Sequence, residues 1–167
     1  MPITPFHFGP GAALHAVAPK QVSFLAFCAA NVVIDLESLY NLVSHQYPVH
    51  EFLHTYVGAT LAVVVTVLLF LGARGLASRV WLPNWFKWQE LMPVQVVIGA
   101  AAGAYSHIVL DSLMHRDIAP LAPFSQSNVL LGAIPLSALH WFCVGSAGVA
   151  LLLLCVRRLA RSGNNVR

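Results

Sequence analysis

Charge is what this chain most lacks. Only 9% of its 167 residues are charged and 58% are hydrophobic, against about 25% charged in an ordinary soluble domain. That shortfall excludes a disordered chain and an ordinary soluble enzyme. The formal net charge of +3 is too small, and too scattered, for the basic stripe of a nucleic-acid binder. Cysteine is scarce as well. Cys28, Cys143 and Cys155 lie in apolar stretches with no Cys-x-x-Cys spacing. An odd count cannot pair completely, and all three read as small buried hydrophobes. Met1 to Pro19 has no basic start and several prolines, unlike a cleavable signal peptide. There is no Gly-rich phosphate cradle and no nucleophile elbow, which argues against nucleotide-driven and serine-hydrolase chemistry.

What remains is apolar length. A bilayer core of about 30 Å needs roughly twenty apolar residues per helix. Three stretches reach that length: one from near Phe52 through Gly72, one from Val94 to Met114, and one from Val129 to Val156. The last exceeds the requirement and is expected to tilt, or to kink at Pro135. A further span over Val22 to Leu39 is apolar until Asp35 and Glu37, and Phe8 to Val17 before it is too short to cross. The expectation is a re-entrant hairpin of these two, and the alternative is a surface segment followed by one spanning helix. The fold class is therefore an all-α integral membrane bundle forming one domain over residues 1–167. It has three to four spanning helices plus a short or re-entrant N-terminal helix, with approximate helices 8–18, 22–39, 52–73, 92–115 and 128–158. Gly99 and Gly103 form a G-x-x-x-G that permits close helix packing, although such pairs are common in any small-residue span. Trp81, Trp85 and Trp88 read as an interfacial belt.

Lys20, Arg74, Arg79, Lys87, Arg157, Arg158, Arg161 and Arg167 all fall at one end of this topology, and Arg116 alone falls at the other. The positive-inside rule makes the common end, with the C-terminus, cytoplasmic. Asp35, Glu37, His50, Glu51, His54, His107, Asp111 and His115 then gather near the opposite, extracytoplasmic end. His107, Asp111 and His115 are spaced i, i+4, i+8 and share a helix face; His50 and His54 repeat the spacing. Asp35 and Glu37 are two apart, so they converge only if the helix ends or unwinds near Leu36. An aspartate at the centre of a membrane helix costs about 2.5–3.5 kcal/mol. Carboxylates and imidazoles gathered at one depth therefore need a common partner, and a divalent cation is the simplest. The donors suit zinc, with manganese or iron(II) as alternatives, and they suffice for one ion or two. The competing account of the cluster is a structural polar network or a proton path. His45 reads as a loop residue and His140 as a packed core histidine. His15 is either a site residue or a surface one.

Residues 50–54 read HEFLH, which is H-E-x-x-H, the arrangement in which two histidines bind zinc and the glutamate acts as general base. This keeps an intramembrane zinc metalloprotease open as an alternative. A non-enzymatic metal binder or transporter is the other, although few polar residues occupy the cytoplasmic halves of the spans.

Four patches carry a resemblance to a known family: TPFHFG, VVIDLE, HEFLHTYVGA and GAYSHIVLDSLMHRDIAPLAPFS. The chain resembles a bacterial and archaeal family of small inner-membrane, predicted metal-dependent hydrolases, some of them under SOS-type control. The resemblance implies an early histidine at His7 and acids at Asp35 and Glu37. It also implies paired histidines at His50 and His54 and a Ser-His-x-x-x-Asp helix bearing His107 and Asp111. All seven are then candidate metal ligands. The chain departs from the pattern in three places. Ile34 stands where the family has proline, Glu37 where it has aspartate, and Glu51 where it has arginine. Arg116 is the candidate to supply the missing positive charge. The implied activity is hydrolysis of a phosphorus or carbonyl ester through activated water, with Glu51 or Glu37 as general base and His115 and Arg116 as substrate contacts. An amphiphilic substrate, a phospholipid or lipid-linked phosphate, fits a site at the membrane surface. Membrane lipids are the expected surroundings, and nucleic acid is not an expected partner.

Overall fold

The computed structural model describes residues 4–164. Arg167 lies outside them, and so does the side chain of Arg161. The fold is all-α, with no strand among the described residues. Five α-helices follow one another: α1 (Phe8–Val17), α2 (Phe24–Val43), α3 (Tyr56–Ala77), α4 (Pro93–Ser112) and α5 (Leu136–Asn164). The last four are long and apolar enough to cross a membrane, with mean hydropathies of 1.3, 2.3, 1.4 and 2.1 over their most apolar windows. Most large apolar side chains on them are exposed, among them Leu68, Leu69, Leu151 and Leu152. In a helical bundle with so little charge, that exposed surface is a lipid-facing one. The protein is an integral membrane bundle.

Local chemistry sets the helix starts. The Ser23 hydroxyl accepts from Ala26 N–H at 3.1 Å and opens α2. The Thr55 hydroxyl accepts from Gly58 N–H at 2.9 Å and opens α3. Pro93 stands in the first turn of α4, where its missing N–H costs nothing. Caps of this kind matter more in a bilayer, where no water stands in for a missing partner.

α2 and α4 run side by side in the same direction, so close that each glycine of the G-x-x-x-G faces backbone. A Cβ on Gly99 would overlap the Ser23 carbonyl oxygen, and one on Gly103 the Phe27 carbonyl oxygen. The small-residue pair is thus a true crossing point. α3 runs the other way against both. Its start is tied to the loop after α4 by Tyr56 N–H to Pro120 O (2.9 Å), and its far end by Arg74 to Leu91 O (3.2 Å). The shared core is Ala26, Ala30, Ile34, Ala59, Ala62, Val96, Ala100, Ala104 and Ile108. α1 leans on α5, with Gly9 against the Cys143 carbonyl and Val17 O accepting from Arg157. Its ten residues rise only about 15 Å, half the apolar thickness. α1 therefore connects the level of His7 to the turn before α2 without crossing completely.

Several expectations are corrected. α2 does not end or unwind near Leu36; it continues to Val43. The third helix begins at Tyr56, after a separate 3-10 turn over Phe52–His54, rather than at residue 52. α4 ends at Ser112, so His115 lies beyond the helix and does not continue its face. The last helix starts at Leu136 instead of near 128, because Asn128 turns back to bond Ser112 O and His115 O. Pro135 therefore precedes that helix and does not kink it.

Candidate metal centre

Three elements deliver one buried cluster. α4 presents His107 and Asp111 one turn apart, and α2 presents Asp35 from the neighbouring parallel helix. The 3-10 turn before α3 adds His54. Gly58 makes that turn feasible: a Cβ there would overlap the Phe52 carbonyl. His54 and His107 are fully buried and Asp111 nearly so, while Asp35 is partly open.

The donor atoms face one another. His107 Nε2 lies 3.3 Å from Asp35 Oδ1, 3.3 Å from Asp111 Oδ2 and 3.4 Å from His54 Nε2. His54 Nε2 lies 3.7 Å from Asp35 Oδ1 and 3.8 Å from Asp111 Oδ2. Four donors held about 2.0–2.1 Å from a tetrahedral ion stand about 3.3–3.4 Å apart. Five of the six separations among these two imidazoles and two carboxylates, 3.3–3.8 Å, are close to those values, and all the donors lie within 4.8 Å of one another. The cluster is thus able to coordinate a divalent metal.

Outer contacts orient the donors. Asn31 Nδ2 donates to Phe27 O at 2.8 Å, which turns Asn31 Oδ1 toward His107 Nδ1 at 2.9 Å. That contact leaves His107 Nε2 for the centre. Glu37 Oε2 accepts Leu53 N–H at 2.8 Å and lies 3.6 Å from His54 Nδ1. Asp35 and Glu37 meet the site without any unwinding because His54 stands between them and offers each a different ring nitrogen. Burial disfavours a charge on His54, but the Asp35 and Glu37 interactions outweigh it and raise its pKa.

His7 also arrives. Its Nε2 is 3.1 Å from Asp111 Oδ1 and its Nδ1 3.0 Å from His107 Nδ1, so it lies behind the four donors. His50 and His115 form a second group with Asp111 on the more exposed side. Their rings are 4.3 Å apart. Burial lowers the His115 pKa. Asp117, which follows the cluster in sequence, accepts from His50 Nδ1 at 2.9 Å and from the backbone N–H groups of Val49 and His50 at 3.1 Å each. Burial alone would raise the Asp117 pKa, but the His50 hydrogen bonds hold it below the usual value.

Glu51 and Arg116 do not join the donors. Glu51 is exposed on a groove of about 360 Å³ that also exposes His50, Asp117, Phe52 and Pro123. Arg116 is exposed on a separate groove with Leu131 and Pro135. Glu51 separates His50 and His54 as in a zincin, but the HEFLH segment is not an α-helix. His54 occupies a 3-10 turn and His50 lies before it, so the helical register of that motif is absent. His15 bonds Val22 O at the far end of α1, and His140 packs on Phe6. His45 is an exposed loop residue with φ 55°.

Two functional contacts escaped sequence reasoning. Asn31 carried a signal, since a lone amide one turn before Asp35 in an apolar span needs a partner. Asp117 sits in a loop after Arg116, and nothing local marks it as the support of His50. Beneath the cluster the core is mostly apolar, built on Ala26, Ala30, Ala62, Val96 and Ala100, with Ser23 at the start of α2 and Thr66 on α3 as buried polar side chains. No family profile, curated protein or solved structure matches the chain.

Proposed function

We propose that the protein is a membrane-embedded, metal-dependent hydrolase. It acts at the extracytoplasmic surface on an amphiphile with an ester head group, a lipid-linked phosphate or phospholipid. The observation that carries this reading is the gathering of donor atoms of Asp35, His54, His107 and Asp111 within 4.8 Å of one another, with His50, grouped with Asp111, lining an open groove. Zinc is the first choice of ion, since its ligand types and tetrahedral habit fit the set. With a fifth position left to water, such an ion would lower the pKa of that water and polarise a phosphoryl or carbonyl oxygen.

The residues then divide the work. Asp35, His54, His107 and Asp111 hold the ion. Asn31 and Glu37 fix the two rings, which makes Glu37 a positioning residue rather than the general base. Glu51, exposed on the groove and outside the donor set, is the residue to take up the proton. Arg116 supplies attraction for an anionic head group from the neighbouring groove. The groove mouth combines Phe52 with polar neighbours, which suits a molecule whose tail stays in lipid. The resemblance of four sequence patches to those of small inner-membrane hydrolases agrees with the same reading. The location of Lys20, Arg74, Arg79, Lys87, Arg157 and Arg158 at the opposite end supports the orientation. The metalloprotease alternative loses its helical motif, and a transporter would need an open path through the apolar core.

The test is hydrolysis by detergent-purified protein of phospholipid and polyprenyl diphosphate micelles, with a labelled peptide as comparison. Phosphate or head-group release is expected with added zinc, and a loss of at least a hundredfold in Asp111→Asn and Glu51→Gln. Peptide cleavage instead of head-group release would overturn the substrate class. Metal binding with no turnover on any of these substrates would leave a non-enzymatic metal protein.

A further inference from the structure

Asp111 belongs to two groups of donors. Besides the buried set, it stands with His50 and His115, one donor atom of each residue lying within 4.8 Å of the others. The two groups differ in access: His54 and His107 are sealed, whereas His50 and His115 are only half-buried. We propose a second cation site, formed by His50, His115 and Asp111, in which the Asp111 carboxylate is shared between an inner ion and an outer one. The inference rests on the metal-centre reading above.

The support for His50 is what distinguishes this group from a chance meeting of histidines. Its Nδ1 donates to the Asp117 carboxylate at 2.9 and 3.0 Å to the two oxygens. That leaves Nε2 as the lone-pair nitrogen, the usual arrangement of a carboxylate behind a metal-binding imidazole. Asp117 is itself pinned by the Val49 and His50 N–H groups, and the Pro48 and Val49 carbonyls accept from Asn41 on α2. His115 is held through its backbone, which donates to Asp111 O at 2.8 Å and accepts from Asn128 at 3.3 Å. Asp111 can serve both groups because an ionised carboxylate offers about four lone-pair positions on its two oxygens. Oδ2 faces His54 and His107, and Oδ1 faces His7 Nε2 at 3.1 Å.

The donor counts assign different tasks. Four protein donors close a tetrahedral site, whereas three leave a position for water or substrate. The outer site is the open one, and His50 lines the same groove as Glu51. The outer ion therefore adds, across Asp111 from the inner one, the position most open to water or substrate.

Metal counting decides it. Full-length protein in detergent is stripped with a chelator, reloaded with zinc alone, and its metal measured by mass spectrometry. Wild type is expected to hold two ions per chain. His50→Ala and His115→Ala should each hold one, and Asp111→Asn should fall below one. Asp117→Asn should weaken only the outer ion, by 10- to 100-fold. Manganese-loaded wild type should give the electron paramagnetic resonance of a coupled pair, a readout that needs no variant. One ion in wild type, unchanged in His115→Ala and magnetically isolated, would overturn the second site and leave the first standing. No ion in wild type would remove both.

Discussion

His107 touches every other inner donor, with Asp35, Asp111 and His54 all within 3.4 Å of its Nε2. Its own direction is set from behind by Asn31. Asn31→Leu keeps the volume of the span and removes that acceptor together with the amide's bond to Phe27 O. Zinc affinity, measured by competition with a chromogenic chelator, should fall 10- to 100-fold, while the melting temperature of the metal-free protein should not fall. Equal affinities in the two proteins would show that His107 is aimed by its backbone alone. The residue scale is also where the sequence is most and least informative. Asp35, His54, His107 and Asp111 are visible as chemistry because polar side chains in apolar runs demand a partner. Which nitrogen faces which oxygen is not visible, because a hydrogen bond between Asn31 and His107 spans 76 positions. The partition of the donors around Asp111 is hidden for the same reason.

At the scale of the element, the spans are legible because hydropathy is a property of continuous sequence, and α3 and α4 lie where the apolar runs lie. Their ends are less so. The turn over Phe52–His54 and the early stop of α4 at Ser112 depend on Gly58 meeting a carbonyl and on Asn128 folding back, both of which are tertiary. The α2–α4 crossing offers a clean comparison. A Cβ at Gly99 overlaps the Ser23 carbonyl, so Gly99→Leu does not fit there, whereas a Cβ at Gly72 on α3 meets nothing within 4 Å, which makes Gly72→Leu the control. Thermal unfolding in detergent should drop by several degrees for the first and stay unchanged for the second. Equal midpoints would mean that the two helices are not held this tightly.

At the scale of the whole molecule, charge is polarised along the bundle. Asp35, Glu37, Glu51, Asp111 and Asp117 sit toward the cluster, and Glu90 is the one acid at the other end, beside Lys87. A reporter that is active only in the cytoplasm, fused after Arg167, should be active, and a cysteine placed at His45 should react with an impermeant thiol reagent added to intact cells. The opposite pair of results would turn the groove toward the cytoplasm and change the class of substrate it meets. One oxygen atom joins these scales. The Phe27 carbonyl accepts the Asn31 amide and also occupies the space where Gly103 has no Cβ. Adding a single methyl group with Gly103→Ala pushes on the same footing from which the Asn31 amide steers His107. Any such change should therefore register twice, as a looser bundle and as a weaker grip on zinc, and the ion in turn should resist the parting of α2 from α4.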